Sequence, residues 1–141
     1  MKYFALLFIS MFVSLQEATA QSDSLDCKAK YQQWEKFFNE HASITFMESA
    51  PELIGGLEAL QKQLVYPQAG KQIDVEGRIF VHLIVDTTGV PQCIKVARGL
   101  QKHFDQAALQ AVRKMEFRPA TIRGKPIEAP YMLPVEFRIV K

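Results

Sequence analysis

The most regular hydrophobic pattern in the chain lies in residues 76–96, where two apolar runs flank an Asp-Thr-Thr-Gly break. Alternation of apolar and polar positions, with many β-branched residues around such a break, predicts a β-hairpin. Its aliphatic face comprises Ile79, Val81, Leu83 and Val85 of the first strand. The register that joins the aliphatic faces pairs Val81 with Val96, His82 with Lys95, Leu83 with Ile94 and Ile84 with Cys93.

Two segments with apolar residues at helical spacing are predicted to cover this face. The first is residues 57–64, and it ends before Tyr66 because Pro67 disfavours the α conformation at the preceding residue. Its predicted buried side is Leu57, Leu60 and Leu64. The second is residues 104–115, with a buried stripe formed by Phe104, Ala108, Ala111, Val112 and Met115.

Alternation returns in residues 131–140, which predicts a last strand. Its inward residues are Tyr131, Leu133, Val135, Phe137 and Ile139, and its outward residues include Met132, Glu136 and Arg138. Proline cannot donate a ladder hydrogen bond, so Pro134 predicts an edge strand with the missing donor on the unpaired side. The predicted fold class is therefore α+β, a three-stranded antiparallel sheet packed by two helices.

An extra N-terminal helix is predicted over residues 22–41, with Trp34, Phe38 and His41 at helical spacing and Phe37 beside them. Residues 44–47 are predicted to form a minor strand. The sheet face away from the two covering helices carries the apolar set Phe80, Ile84, Cys93, Met132 and Val140. The N-terminal helix is expected to cross that face; the alternative cover is a second copy, which would make a homodimer.

The first residues read as an export signal. A Met-Lys start, an apolar run shorter than a membrane span and the sequence Ala18-Thr19-Ala20 predict a signal peptide over residues 1–20. An uncleaved inner-membrane anchor is the competing interpretation. We therefore expect a periplasmic protein divided into residues 1–20 (signal peptide), 21–49 (amphipathic helix and connector) and 50–141 (the main domain).

Net charge and cysteine content restrict the possible functions of the protein further. A formal net charge of +2 over 141 residues is too balanced to indicate binding of nucleic acid. The two cysteines, Cys27 and Cys93, would enter an oxidising compartment on export, where a disulfide between them is allowed but not required.

The sequence offers little chemistry. The histidines His41, His82 and His103 lack ligand-like spacing, so no metal site is predicted. Cys93 has no predicted neighbouring base, and residues 123–126 lack the remaining elements of a phosphate-binding loop. We predict no catalytic residue and no cofactor, and hence no enzyme.

The order of short motifs resembles the C-terminal domain of TonB, the energy-transducing protein of outer-membrane bacteria. The resemblance covers residues 51–141 roughly and depends on the order of eight pieces. They are Tyr66-Pro67, the strand opening at Glu76-Gly77-Arg78, residues 85–90, Lys95-Val96-Ala97-Arg98-Gly99, residues 104–109, Phe117-Arg118-Pro119-Ala120, residues 123–126 and Leu133-Pro134-Val135-Glu136-Phe137.

The resemblance implies a periplasmic module that binds the N-terminal "TonB box" peptide of an outer-membrane transporter as an added strand. The implied partner-binding residues are Tyr66, Pro67, Tyr131, Met132, Leu133, Pro134, Val135, Glu136, Phe137 and Arg138. A full transducer that resembles TonB also has a membrane helix and a Pro-rich rod, which this sequence does not show. The alternative function is an exported, self-associating interaction protein that keeps the fold without energy transduction.

Overall fold

The structure is a computed structural model that describes residues 25–40, 47–68 and 75–139. The chain divides into two compact units, Met1–Ala42 and Ser43–Lys141. In the first unit, helix α1 extends through the described residues 25–40, as predicted for the extra N-terminal helix. The predicted signal peptide, His41, Val140 and all of the predicted minor strand except Met47 lie outside the described residues.

The less exposed side of α1 differs from the predicted stripe. It is formed by Cys27, Tyr31, Trp34 and Phe37, whereas Phe38 is 41% exposed. Trp34 still contacts both phenylalanines, with ring centroids 5.7 Å from Phe37 and 5.8 Å from Phe38. Burial of the Tyr31 phenol raises its pKa.

The described residues of the second unit form two helices and seven strands. In chain order they are β1 (Glu52–Leu53), α2 (Gly56–Gln63), β2 (Gly77–Val85), β3 (Pro91–Arg98), α3 (Lys102–Arg113), β4 (Phe117–Arg118), β5 (Ala120–Ile122), β6 (Lys125–Ile127) and β7 (Ala129–Phe137). The main sheet has the order β3-β2-β7 and is antiparallel throughout, which confirms the predicted three-stranded sheet and α+β class. The sequence pattern did not predict the small pairs β1-β4 and β5-β6.

The core lies between one face of the main sheet and the two helices. It contains the predicted strand residues Ile79, Val81, Leu83, Val85, Leu133, Val135 and Phe137 and the predicted α3 stripe. An aromatic trio closes one end, where the Phe104 and Phe137 centroids are 4.9 Å apart and the Tyr66 ring lies edge-on to both. Such edge-to-face contacts add to the stabilisation from apolar burial.

The prediction that Leu57 belongs to the buried side of α2 is wrong. Leu60 is fully buried and Leu64 packs against the core, but Leu57 is 52% exposed. Helix α2 is only eight residues long, ending at Gln63, and Gly55 precedes it in a left-handed conformation (φ 81°). Leu57 comes in the first turn after this glycine pair and points away from the face that Leu60 buries.

The β2–β3 register agrees with the prediction at two pairs and departs from it at a bulge. Val81 pairs with Val96 and His82 with Lys95, but Ile84 pairs with Gln92 rather than Cys93. An extra residue in β3 causes the shift, and Cys93 there has the left-handed φ of 52°. A second shift, between Phe80 and Val81, places an extra residue in β3 near its end.

The hairpin turn is organised by one carboxylate. Asp86 Oδ1 accepts hydrogen bonds from the backbone N–H groups of Thr88 and Val90, both at 2.9 Å, and from the Thr88 hydroxyl at 2.7 Å. Its Oδ2 accepts one from Gln92 Nε2 at 2.9 Å. Partial burial opposes ionisation of Asp86, but these hydrogen bonds outweigh it and lower the pKa of the carboxyl.

Candidate functional site: the open edge of the main sheet

Strand β7 is the predicted edge strand. It pairs with β2 over its whole length, from Ala129 opposite Val85 to Phe137 opposite Gly77. Among the described strands, no other pairs with β7, so its second side is an open edge. The strand begins two residues before the predicted start and ends before the predicted end at residue 140.

Two observations identify the main-chain groups that face this open edge. Residues two apart in a strand direct their N–H and C=O groups to the same side. Pro130 and Pro134 have no N–H and share one phase, and the carbonyl of Glu136, in the same phase, accepts a 2.9 Å hydrogen bond from Gln61 Nε2 of α2. The open edge therefore offers the N–H groups of Met132 and Glu136, with prolines between and before them.

The side chains of β7 alternate as predicted. Leu133, Val135 and Phe137 are buried in the core, while Met132 is 46% exposed. Arg138 is exposed, and Pro134, Glu136 and Tyr131 are half-buried. Among the predicted partner-binding residues of this strand, Leu133, Val135 and Phe137 have core-packing roles, because their side chains are buried and their main-chain groups face β2. Met132, Pro134, Glu136 and Arg138 remain for side-chain contact with a partner.

Tyr66 and Pro67, the other predicted partner-binding residues, do not belong to the edge strand β7. The Tyr66 ring packs against Phe104 and Phe137, and its hydroxyl donates a hydrogen bond to the carbonyl of Val75. Both residues are half-buried. Tyr66 therefore has a packing role, because its ring stabilises the position of Phe137 in β7. Direct contact of Tyr66 and Pro67 with a partner stays a prediction.

A cleft of about 470 Å³ lies along the C-terminal half of the open edge. It is lined by Leu57, Glu58, Gln61, Arg78, Pro134, Glu136 and Arg138. Four lining residues were not among the predicted site residues: Leu57, Glu58, Gln61 and Arg78. No sequence signal marked them, because the exposure of Leu57 follows from the burial of Leu60 on the opposite side of α2.

The charged residues of the cleft converge on one carboxylate. Glu136 Oε1 lies 2.8 Å from Arg138 Nη2 and 3.6 Å from Arg78 Nη2. The hydrogen bond from Arg138 and the charge of Arg78 together lower the pKa of the Glu136 carboxyl. On the α2 side, Glu58 is paired with Lys62 at 3.2 Å.

The other edge of the sheet is strand β3, and its edge is irregular. Both register shifts of the β2–β3 pair are bulges in this strand. A bulge interrupts the even spacing of donors and acceptors that an added strand needs, and natural sheets protect edges in this way. The regular open edge is therefore that of β7.

Neither cysteine is a free thiol: Cys27 and Cys93 are both disulfide-bonded. In the part of the chain that the structure describes, no group of His, Cys, Asp and Glu residues has the arrangement of a metal site. No helix among residues 25–40, 47–68 and 75–139 is long and apolar enough to cross a membrane.

A helix-backed antiparallel sheet with one regular open edge is a template to which an extended segment can add as a strand. The comparisons with known proteins show the family. The family model for the Gram-negative bacterial TonB protein C-terminal matches residues 62–139, more than half of the 141 residues. The chain belongs to the TonB C-terminal domain family, which confirms the resemblance.

Solved structures of the same kind are similar to this chain. The TonB C-terminal domain of Helicobacter pylori (residues 194–285) is 20% identical with a TM-score of 0.46, over 57% of this chain and 86% of that one. That of Pseudomonas aeruginosa is 25% identical with a TM-score of 0.46, over 55% and 80%. The comparison with curated proteins gave no match. Domains of this family are interaction domains, and in general they interact with outer-membrane transporters.

Proposed function

We propose that this protein binds the N-terminal peptide of an outer-membrane transporter, or of another transport component, by strand addition to β7. The observation that carries the proposal is the one-sided pairing of β7, which leaves the N–H groups of Met132 and Glu136 directed outward. The family supports the choice of partner class. The binding takes place in the periplasm after removal of residues 1–20.

The spacing of the outward donors limits how a partner strand pairs. Pro130 and Pro134 remove the N–H groups that would otherwise alternate with those of Met132 and Glu136. A partner strand can therefore donate to several carbonyls of β7 but can accept at only two positions. This asymmetry fixes the register of an added strand and disfavours indefinite edge-to-edge association.

The test uses protein purified from the periplasm of an expression host. Peptides that copy the N-termini of outer-membrane transporters from the same genome are titrated against it, and amide hydrogen exchange is measured with and without peptide. Strand addition predicts slower exchange at the N–H groups of Met132 and Glu136 on saturation. Unchanged exchange at both amides in a folded, monomeric sample would refute the proposal.

A pair of variants separates main-chain pairing from side-chain contact. Met132→Pro removes one outward donor, whereas Met132→Ala removes the exposed side chain and keeps that donor. Loss of peptide binding in the first variant and its retention in the second supports strand addition.

Self-association is the competing outcome. If the β7 edge is closed by a second copy of the chain, the same Met132→Pro variant converts a dimer to a monomer in analytical ultracentrifugation. A wild-type dimer that this substitution dissociates, without any peptide binding, would favour the self-associating interaction protein.

A further inference from the structure

The cleft beside the C-terminal half of β7 occupies the space into which an added strand would extend. Pro134 and Glu136 belong to both the open edge and the cleft lining. Any segment that pairs with the N–H of Glu136 therefore places side chains in the cleft. The cleft has two walls, one formed by α2 and one formed by charged side chains of β2 and of the C-terminal end of β7. Their composition determines which side chains of the added segment bind favourably.

The first wall is helix α2. Leu57 is 52% exposed there, next to Gln61 in the cleft lining. Because α2 packs on the core face of the sheet through Leu60, this wall meets the side chains that an added strand directs to the core face. An exposed leucine at this point gains stabilisation from an aliphatic contact.

The second wall has a surplus of positive charge. Arg78 and Arg138 share the single carboxylate of Glu136, and both approach the same oxygen, Oε1, through one terminal nitrogen each. A guanidinium has further N–H donors, which suit a second carboxylate. Glu58 adds no net charge because Lys62 neutralises it.

The two walls meet opposite faces of an added strand. Arg78 and Glu136 are paired across β2 and β7 in the phase whose side chains point away from the core, whereas α2 covers the core face. Adjacent residues of a strand point to opposite faces. An acidic residue on one wall and an aliphatic residue on the other are therefore neighbours in the partner sequence.

We infer that the cleft selects an extended peptide in which an acidic residue is directly adjacent to an aliphatic one, with the carboxylate bound by Arg78 and Arg138 and the aliphatic side chain against Leu57. This inference rests on the proposed strand addition and specifies the chemistry of the partner. Arg78 and Arg138 provide selectivity for the negative charge, and Leu57 provides selectivity for the aliphatic side chain.

The test uses synthetic peptides with an alternating Thr and Ser background that differ only at an adjacent Glu-Val pair. One series replaces the Glu by Gln or Lys, and another replaces the Val by Ser. Binding to the periplasmically purified protein is followed by fluorescence anisotropy. We expect each single replacement to weaken binding about tenfold, the scale of one lost charge-assisted hydrogen bond or one lost aliphatic contact.

A charge reversal provides the specific readout. Arg138→Glu is expected to prefer the Lys peptide over the Glu peptide. Arg138→Gln, a milder variant on an exposed side chain, is expected to lose the preference between Glu and Gln peptides. Lys125→Glu on β6 makes the same change in net charge as Arg138→Glu outside the cleft lining and should keep the wild-type preference.

The possible outcomes distinguish a failure of the selectivity inference from a failure of strand addition itself. If edge-dependent binding occurs but is equal for all peptides, strand addition holds and the selectivity inference is wrong. If Lys125→Glu changes the preference as much as Arg138→Glu, the effect comes from net charge and the inference is also wrong. If no peptide or transporter segment protects the Met132 and Glu136 amides, both proposals fail.

Discussion

Gly89 and Phe117 are in direct backbone contact. The N–H of Phe117 donates a 3.0 Å hydrogen bond to the Gly89 carbonyl, and a Cβ atom added to Gly89 would lie 2.0 Å from the Phe117 carbonyl oxygen. Gly89 also has the left-handed φ of 85°. The contact fastens the hairpin turn to β4, which pairs with β1 at the entrance to α2.

Gly89→Ala is therefore expected to destabilise the domain by about 3 kcal/mol, since the turn must move away from β4 and break the hydrogen bond. Gly124→Ala is the matched control. Gly124 also has a left-handed φ, of 72°, but nothing lies within 4 Å of its added Cβ. Conformational strain alone predicts a loss of about 1 kcal/mol there. Urea unfolding of both variants checks the difference, and equal losses would contradict the close-contact argument.

The Asp86 carboxylate is predicted to stabilise the turn in a pH-dependent way. Its pKa is lower in the folded chain than the ordinary value of about 4, so its contribution is complete above that value and is lost as the pH falls through the folded pKa. Asp86→Ala removes the acceptor and should cost about 1 kcal/mol at neutral pH.

Asp86→Asn keeps one acceptor oxygen but removes the charge. Its stability deficit relative to wild type should be largest at neutral pH. The deficit should begin to shrink below pH about 4 and continue to shrink as the pH falls through the lower folded pKa, where the wild-type carboxyl becomes protonated. Thermal unfolding across this pH range measures it. A deficit that stays constant to acid pH would show that the charge is not the stabilising feature.

Gln61 competes with an incoming strand for the Glu136 carbonyl. Because its amide already donates to that oxygen at 2.9 Å, Gln61→Ala is expected to bind edge peptides about two- to fivefold more tightly. The exposed position predicts a stability change within about 0.5 kcal/mol. Gln63→Ala, the same change on an exposed residue at the end of α2, should leave binding unchanged. Weaker binding by Gln61→Ala would mean that Gln61 contacts the peptide instead.

We predict that Cys27 and Cys93 are bonded to each other in the exported protein, because they are the two cysteines of a chain that enters an oxidising compartment. Non-reducing peptide mapping should then recover one linked pair. Because the bridge closes a long loop, its reduction should lower the free energy of unfolding by about 2–4 kcal/mol. Two free thiols in the exported protein, or a linkage between two chains, would overturn the proposal.

The sheet was the part of the fold most open to prediction. Period-two patterning marks which side of a strand is buried whatever lies on top of it, so β2, β7 and the edge position of β7 followed from Ile79, Leu133 and Pro134. The stripe of α3 followed for the same reason, because its helical period persists over the whole helix. Membership of the TonB C-terminal family was already visible in the order of short motifs.

Other features depended on contacts between residues distant in sequence. The bulge at Cys93 shifts the pairing of Ile84, and nothing in the local alternation marks an inserted residue. The sequence spacing places Leu57 on the same predicted helix face as Leu60 and Leu64. The packing of α2 against the core, however, buries Leu60 and leaves Leu57 exposed.

The sequence by itself determined the α+β class, the order of the main elements and an edge strand interrupted by prolines, because patterning and proline chemistry act within a few residues. Only the tertiary structure decided which residues surround that edge. Gln61, Arg78 and Glu136 come from three separate elements, and their convergence depends on how α2 packs against β7. Packing of this kind results from the fit of whole surfaces, which no local pattern records.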